Sequence, residues 1–231
     1  MLFRSASAAV VAPFGPGKRF GIQAQGAYAF YPGRQDGQLD AALLYRRGPL
    51  QFGAAGTFGA ANVRAESIPG GLTDATLSLD VLLPGVRFGG FGTKGLGERD
   101  VVGRTELGAL PGAPVIVTER LLHTIDQLGG NVQVPVLPDT WVDGHLEWLH
   151  RHAPGFGDTA GAGARLTHLL IPGVAVTMQF DVNESYLSTG TVGTLTFGVT
   201  LGRKSRPSDY SNPVNPLGTM VPRAHYEVFP R

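Results

Sequence analysis

The sequence VAVTMQFDVN at residues 174–183 alternates apolar and polar side chains at every step. Successive side chains of a β-strand point to opposite faces, so this period of two predicts a strand with one apolar and one polar face. The same alternation runs through six further segments, and helical spacing fits none of them as well. They are residues 21–31, 38–47, 50–58, 74–83, 141–150 and 193–202. The sequence therefore predicts an all-β chain.

The polar faces of these segments indicate what surrounds the sheet. A soluble sandwich also alternates, with apolar side chains inward, but its outer face normally carries many Lys and Glu residues. Here the polar positions are mostly Thr, Ser, Gln, Asn and Gly, with single Asp or Arg residues. The segments are also longer than a common strand of about 5–6 residues, and a tilted membrane-crossing strand needs about 9–11. The pattern favours an antiparallel up-and-down transmembrane β-barrel over a soluble sandwich or barrel.

The connections between the segments supply a second pattern, because they run long, short, long, short along the chain. This order places all short turns at one rim and all long loops at the other, as in outer-membrane barrels. About ten strands result, with twelve as an alternative count. "GGN" at 129–131 is the point at which the long sixth strand could instead divide into two. The predicted strands are 20–31, 38–47, 50–65, 72–83, 86–93, 115–136, 140–151, 159–171, 174–186 and 191–203.

The chain divides into three segments on this interpretation. Residues 1–19 form a leader or a truncated N-terminus, residues 20–203 the outer-membrane barrel, and residues 204–231 a proline-rich connector or tail. The prolines of the tail favour an extended path. An even strand count makes the tail leave at the short-turn, periplasmic rim. We expect it to hang there as a linker, the alternative being a route back through the lumen. The long connection 93–114 is expected at the outer rim.

Polar residues of the predicted strands are expected to face the lumen, while Leu77, Leu79, Phe180 and Phe197 are expected to contact lipid. Both charge signs occur in the polar set, and in a narrow bore opposite charges pair across the walls rather than hold open a selective pore. The predicted lumen-facing residues are Gln23, Gln25, Asp40, Arg46, Asp74, Asp80, Arg87, Asp143, Glu147, Arg165, Gln179 and Asp181.

Composition excludes several classes of function. The net charge is +1 with 16% charged residues, which argues against nucleic acid as a partner. No cysteine is present, so Cys-ligated zinc and thiol catalysis are excluded. His145, Glu147, His150 and His152 form a His-and-carboxylate set, but they divide between the two faces of a strand and are interpreted as solvated rim residues. No nucleophile with a base is recognisable, so we predict no enzyme, no metal and no cofactor.

Three stretches carry a resemblance: "FYPGRQDGQLDAALLYRRGPLQFGAAGTF" (30–58), "RFGGFGTKGL" (87–96) and "SRPSDYSNPVNPLGTMVPRAHYEVF" (205–229). Together they resemble uncharacterised bacterial outer-membrane β-barrel proteins in which Ig-like or PKD-type repeats follow the barrel. The arrangement is similar to that of inverse autotransporters such as intimin and invasin, although their peptidoglycan-binding region has no match here. The resemblance implies a Gram-negative outer membrane, with its lipid, the barrel-assembly machinery and downstream Ig-like or PKD-like domains as partners.

These expectations lead to one function and two alternatives. The leading function is membrane anchoring with surface display or translocation. The first alternative is a narrow porin-like channel for small solutes. The second is a soluble β-barrel that binds an apolar ligand, in which case the apolar face would point inward.

Overall fold

A computed structural model describes most of the chain, and almost all of the described residues lie in β-strands. No helix in this part of the chain is long and apolar enough to cross a membrane. The described ranges are residues 4–31, 34–63, 70–96, 100–107, 116–152, 157–171, 174–184, 191–201 and 226–230.

The strands follow one another with short interruptions, and one 3-10 turn at Pro16–Lys18 separates the first two. In chain order they are β1 (Arg4–Phe14), β2 (Phe20–Tyr31), β3 (Arg34–Arg47), β4 (Leu50–Val63), β5 (Gly70–Leu83), β6 (Val86–Gly95), β7 (Asp100–Leu107), β8 (Ile116–Thr124), β9 (Asp126–Leu137), β10 (Thr140–His150), β11 (Thr159–Ile171), β12 (Val174–Glu184), β13 (Thr191–Leu201) and β14 (Tyr226–Pro230).

Eleven strands form the main sheet, in the order β1-β2-β3-β4-β5-β6-β9-β10-β11-β12-β13. Every neighbouring pair is antiparallel. Apart from the β6–β9 pair, each strand lies beside the next one in the chain. The predicted all-β, antiparallel, up-and-down architecture is therefore confirmed. Cα atoms of the two edge strands β1 and β13 approach within 8 Å, but no ladder joins them in the described residues, so the sheet is not closed.

The two ends of the sheet differ in their connections. The "turn rim" is the end that carries the connections 15–19, 48–49, 84–85, 138–139 and 172–173. The "loop rim" is the opposite end, with the connections 32–33, 64–69, 151–158 and 185–190 and the excursion to β7 and β8. The connection 32–33 is shorter than predicted, because β2 extends to Tyr31 and β3 begins at Arg34. The predicted alternation of short and long connections otherwise holds.

The prediction of ten strands is wrong, because strands form where the alternation is weak. Arg4–Phe14 pairs with β2 along its whole length, so the sheet begins inside the segment 1–19. Asp100–Leu107 lies within the connection 93–114 and pairs with β8. The predicted strand 115–136 is interrupted at Ile125 rather than at 129–131. The ladder continues through Gly129, where glycine allows the Phe91 ring to approach the backbone closely. A Cβ atom at this position would lie 2.5 Å from that ring.

A second sheet has the order β14-β8-β7 and begins at the loop rim. Strand β8 ends at Thr124, and a single residue, Ile125, separates it from β9. Tyr226 of β14 pairs with Thr124. From there β14 runs antiparallel to β8, reaching Arg120 at Pro230. The expectation that the tail hangs from the turn rim is therefore wrong for residues 226–230. The remainder of the predicted tail, 204–225 and residue 231, lies outside the described residues.

Candidate functional site: the buried polar side of the sheet

The two sides of the main sheet are opposite in chemistry to those of a soluble protein. Large apolar side chains point to the open side: Phe58, Leu77 and Phe197 are 66%, 69% and 66% exposed. Leu43, Leu128, Leu146, Leu170 and Phe180 are exposed in the same way. Such a continuous apolar surface far exceeds the patches that monomeric soluble proteins leave in water.

The opposite side of the sheet is buried and predominantly polar. Seven of the predicted lumen-facing residues are buried: Gln23, Asp40, Asp74, Asp80, Arg87, Asp143 and Glu147. The other five are half-buried: Gln25, Arg46, Arg165, Gln179 and Asp181. All twelve are thus withdrawn from the exposed side. That the space in front of them is a lumen stays a prediction at this point.

Several buried polar residues were absent from the predicted set. They are Gln51, Thr57, Thr93, Thr124, Gln127, Thr140 and Arg151. Two of them lie in β4, whose sequence LQFGAAGTFGAANV is rich in Gly and Ala. These small residues are equally acceptable on either side, so the alternation around Gln51 and Thr57 is hard to recognise. The pairing of β4 with β3 and β5 is the signal that places both side chains on the buried side.

Two buried carboxylates, those of Asp80 and Asp143, are partnered from a neighbouring strand. Arg87 Nη2 lies 2.6 Å from Asp80 Oδ2, and both side chains are almost inaccessible. Arg165 Nε lies 3.5 Å from Asp143 Oδ2, and this aspartate also accepts a hydrogen bond of 2.6 Å from Gln133 Nε2. Opposite charges therefore neutralise each other across the strands, as expected for a narrow interior.

A histidine of β10 approaches a carboxylate of β12. His145 Nε2 lies 3.6 Å from Asp181 Oδ1. Gln179 Nε2 donates hydrogen bonds of 3.1 and 2.9 Å to the two oxygens of the same carboxylate. The carboxylate is thus held by two side chains on the buried side.

One acidic pair is different and lies on β3 and β5. Asp40 and Asp74 are each the cross-strand partner of Thr57, which lies between them on β4. Asp40, Thr57 and Asp74 are 2%, 1% and 1% exposed. Gln38 Nε2 donates a hydrogen bond of 2.7 Å to Asp40 Oδ1. The Thr57 hydroxyl is the hydrogen-bonding group that adjoins both carboxylates.

The loop rim carries a cluster of imidazoles. The His123 and His152 ring centroids lie 4.6 Å apart, and those of His150 and His152 4.8 Å apart. His150 Nδ1 lies 2.8 Å from Asp158 Oδ1, and His152 Nε2 lies 3.3 Å from Asp126 Oδ2. The structure thus brings His150 and His152, at the loop rim, together with His123 of β8. Glu147 is buried and His145 half-buried within β10, so the interpretation as solvated rim residues is wrong for these two. Across the described ranges, no group of three or more His, Asp or Glu side chains is arranged to hold a metal ion.

The fold of this chain is similar to that of a solved structure. A solved structure described as "Unveiling the Mechanism Behind the in-meso Crystallization of Membrane Proteins" is similar to 93% of this chain and 83% of its own, with a TM-score of 0.55 and 11% identity. At this identity the likeness concerns the fold alone. No protein-family model matches the chain, and neither does any curated protein.

Proposed function

We propose that the chain is a β-barrel of the bacterial outer membrane that anchors the protein and carries its C-terminal segment to the outer surface. One observation supports the direction of transport above all others. Strand β13 ends at the turn rim, whereas β14, the next described segment, lies at the loop rim. The chain between them has to pass from one rim to the other.

The membrane part of the proposal is supported by the apolar exposed side. In lipid these side chains lose nothing by being exposed, whereas in water they would be a large aggregation surface. A strand of 11 residues such as β13, tilted near 45°, rises about 25 Å, which is the height of the apolar band of outer-membrane barrels. The soluble alternative needs these side chains inside, the opposite of what Leu77 and Phe197 show.

Closure of the sheet follows from the same environment. Lipid offers no hydrogen-bond partner to the free edge of a strand, so an open edge inside the bilayer costs several kcal/mol for each group. The edges β1 and β13 already lie within 8 Å of each other. We therefore infer that they meet in the membrane and complete a barrel.

The route of the tail is then restricted to the interior. Leu201 pairs with Val174 next to the connection 172–173, at the turn rim, and Tyr226 pairs with Thr124 at the loop rim. Residues 202–225 reach about 80 Å when extended, more than the roughly 30 Å of the hydrocarbon core. We infer an inner route for the tail, because a chain with four prolines cannot satisfy its backbone hydrogen bonds against lipid.

The position and direction of β14 agree with this route. Its partner β8 leads into β9, which pairs with β6 in the middle of the strand order and therefore lies across the barrel from β1 and β13. From Tyr226 the strand runs away from the sheet, antiparallel to β8. A segment that enters beside β13 and leaves beside β8 crosses the bore diagonally and points outward. Downstream Ig-like or PKD-like domains, as in the inverse autotransporters that the sequence resembles, would then be displayed on the surface.

The proposal retains outer-membrane lipid and the barrel-assembly machinery as partners, and it retains the narrow channel as a second function of lower rank. Ion pairs between adjacent strands, such as Arg87 with Asp80, neutralise charge on the buried side of the sheet, which favours anchoring over an ion-selective channel. Single-channel conductance in planar bilayers separates the two functions.

Display is tested with an epitope tag after Arg231 and protease added to intact cells. We expect the tag to be lost without permeabilisation of the outer membrane. A tag inserted between residues 154 and 155, at the loop rim, should be lost in the same way, and one between Gly48 and Pro49, at the turn rim, should survive. Survival of the C-terminal tag alongside loss of the loop-rim tag would mean that the tail remains in the periplasm.

A further inference from the structure

Four basic residues lie together at two neighbouring turns of the turn rim. Lys18 and Arg19 lie in the turn between β1 and β2, and Arg46 and Arg47 end β3. The two turns are joined, because the Arg46 backbone N–H donates a hydrogen bond of 2.8 Å to the Arg19 carbonyl oxygen. Together these four residues form the basic patch.

The strands around the basic patch supply few carboxylates to neutralise it. Residues 1–35 and 41–65, which include all of β1, β2 and β4, contain no Asp or Glu. On the next strand, β5, Asp80 is level with the start of β4, but its carboxylate is already paired with Arg87. A partner for the positive charges therefore has to come from outside this part of the sheet.

The side chains of Lys18, Arg19 and Arg47 are exposed, and the salt bridges of the described residues involve none of them. Lys18 also has a φ of 50°, the one positive φ among the described non-glycine residues. This left-handed conformation is costly for a residue with a long side chain, and glycine would adopt it freely. A lysine at this position therefore suggests that its charge is used.

A row of aromatic side chains lies directly beside the basic patch on the open side of the sheet. The ring centroids of Phe14 and Phe20 are 5.8 Å apart, and those of Phe20 and Tyr45 are 5.0 Å apart. Phe52 continues the row on β4, where it pairs with Tyr45. Arg47 follows Tyr45 by two residues and therefore points to the same side. Two residues span about 7 Å of strand, or about 5 Å of depth at a tilt near 45°.

We propose that the basic patch binds the phosphate groups of anionic phospholipids in the leaflet around the turn rim. This inference rests on the proposed membrane location of the sheet, but not on the route of the tail. Aromatic side chains of barrels concentrate at the membrane–water interface. The headgroup layer extends about 5–7 Å beyond the hydrocarbon core, which is the distance from the aromatic row to Arg47. A guanidinium at this depth can hold two phosphate oxygens at once.

Three other turns of the turn rim lack this combination. Strands β5, β9 and β11 end there at the exposed apolar residues Leu83, Leu137 and Ile171. The two residues after each of them include no Lys or Arg. The net charge of the whole chain is only +1, so attraction to an anionic surface has to be local. We therefore expect the lipid to bind at the sector of β1 to β4.

The test uses the full-length chain refolded in vesicles of phosphatidylcholine, or of equal parts of phosphatidylcholine and phosphatidylglycerol. The readout is the equilibrium constant of unfolding, measured by urea titration in each lipid. We expect phosphatidylglycerol to lower this constant by about fivefold for each cation that reaches the membrane surface. This gain should shrink as the salt concentration is raised, because salt screens exposed charges.

Charge variants locate the source of the gain. Arg47→Gln should remove about fivefold of it, and Arg47→Lys, which keeps the charge, should retain most of it. The triple variant Lys18→Gln, Arg19→Gln and Arg47→Gln should lose most of the gain. Lys94→Gln is the matched control, because Lys94 is an exposed lysine at the loop rim that is already paired with Asp126. Its gain should equal that of wild type. Each variant is compared with itself in phosphatidylcholine, so a general loss of stability cancels from the ratio.

An equal gain in wild type and the triple variant would overturn the inference, as would the absence of any gain in wild type. Poly-L-glutamate, enclosed with phosphatidylcholine vesicles so that it is present on both sides, tests for a soluble partner. If it stabilises wild type as much as phosphatidylglycerol does, the patch binds an acidic polymer and the assignment to lipid is wrong. Failure to insert into either kind of vesicle would reject the membrane location and this inference together. A protected C-terminal tag in the display assay would reject the tail route alone.

Discussion

Strand β5 presents two opposite environments one residue apart. Leu77 and Leu79 point to the open side of the sheet, whereas Asp74 and Asp80 on the other side are almost wholly buried. On the open side the side chains need no specific partner. On the buried side each charge needs a particular neighbour, as Asp80 has in Arg87. The apolar side therefore needs only an apolar environment, whereas the polar side needs specific partners within the protein.

The largest expected effect comes from removing a partner on the buried side. Arg87→Met leaves the Asp80 carboxylate uncompensated, and loss of one member of a buried ion pair costs about 3–5 kcal/mol. The free energy of unfolding in lipid vesicles, measured by urea titration, should fall by this amount. The double variant Arg87→Met with Asp80→Asn should recover most of the loss. Equal losses in the single and double variants would contradict the pairing.

A charged residue introduced on the open side should lower the free energy of unfolding somewhat less than the loss of Arg87 does. Leu77 lies in the middle of β5, and Leu77→Arg should lower the free energy of unfolding by about 2–4 kcal/mol if the site is near the bilayer midplane. Leu83→Arg is the matched control, because Leu83 lies on the same side of the same strand next to the turn rim. There the cost should be about 0–1 kcal/mol. Equal costs at both positions would speak against a bilayer around the sheet.

A pair of glycines compares the packing of the two sides. A Cβ atom on Gly129 would meet the Phe91 ring at 2.5 Å and the Leu146 carbonyl oxygen at 2.7 Å. Gly129→Ala should therefore cost about 1–3 kcal/mol through overpacking. At Gly144 the nearest atom, in Val132, is 3.7 Å away, so Gly144→Ala should be nearly neutral. The same titrations measure both, and a neutral Gly129→Ala would show that the inner side is loosely packed.

The smallest effect is expected at the loop rim, outside the membrane-crossing part of the strands. Burial acts to raise the pKa of Asp158, but hydrogen bonds from the Arg151 backbone N–H, His150 and Trp148 outweigh it and lower the pKa. A carboxyl group whose pKa is lower in the folded state stabilises the fold above its unfolded pKa of about 3.9. This contribution is lost as the pH falls through the folded pKa. Asp158→Asn should therefore flatten the acid limb of a stability–pH curve, and an unchanged limb would exclude the contribution.

Features of the fold and the site could be predicted where they depend on the local sequence, and not where they depend on which strands pair. Strands such as β2 and β12 carry a clear period of two, and their predicted starts at Phe20 and Val174 match the structure. The period also assigned residues such as Asp80 and Asp181 to one side of the sheet. It could not identify their partners, because Arg87 reaches Asp80 from the neighbouring strand β6 and His145 reaches Asp181 from β10, two strands away. Thr57 was missed for the same reason, since pairing with two strands, rather than its own sequence, places it between Asp40 and Asp74.

The eleven strands of the main sheet also have a consequence for the order of folding. Because every neighbouring pair is antiparallel, the first and last strands of an odd number run in the same direction. If β1 and β13 meet, they do so as a parallel pair, whose slanted hydrogen bonds are slightly weaker per residue. They are also the two strands of the main sheet that are farthest apart in the chain, while nearly all other pairs in that sheet are sequence neighbours. In a closed barrel the local hairpins would therefore assemble first, and the seam between β1 and β13 would be the last contact to form and the first to open.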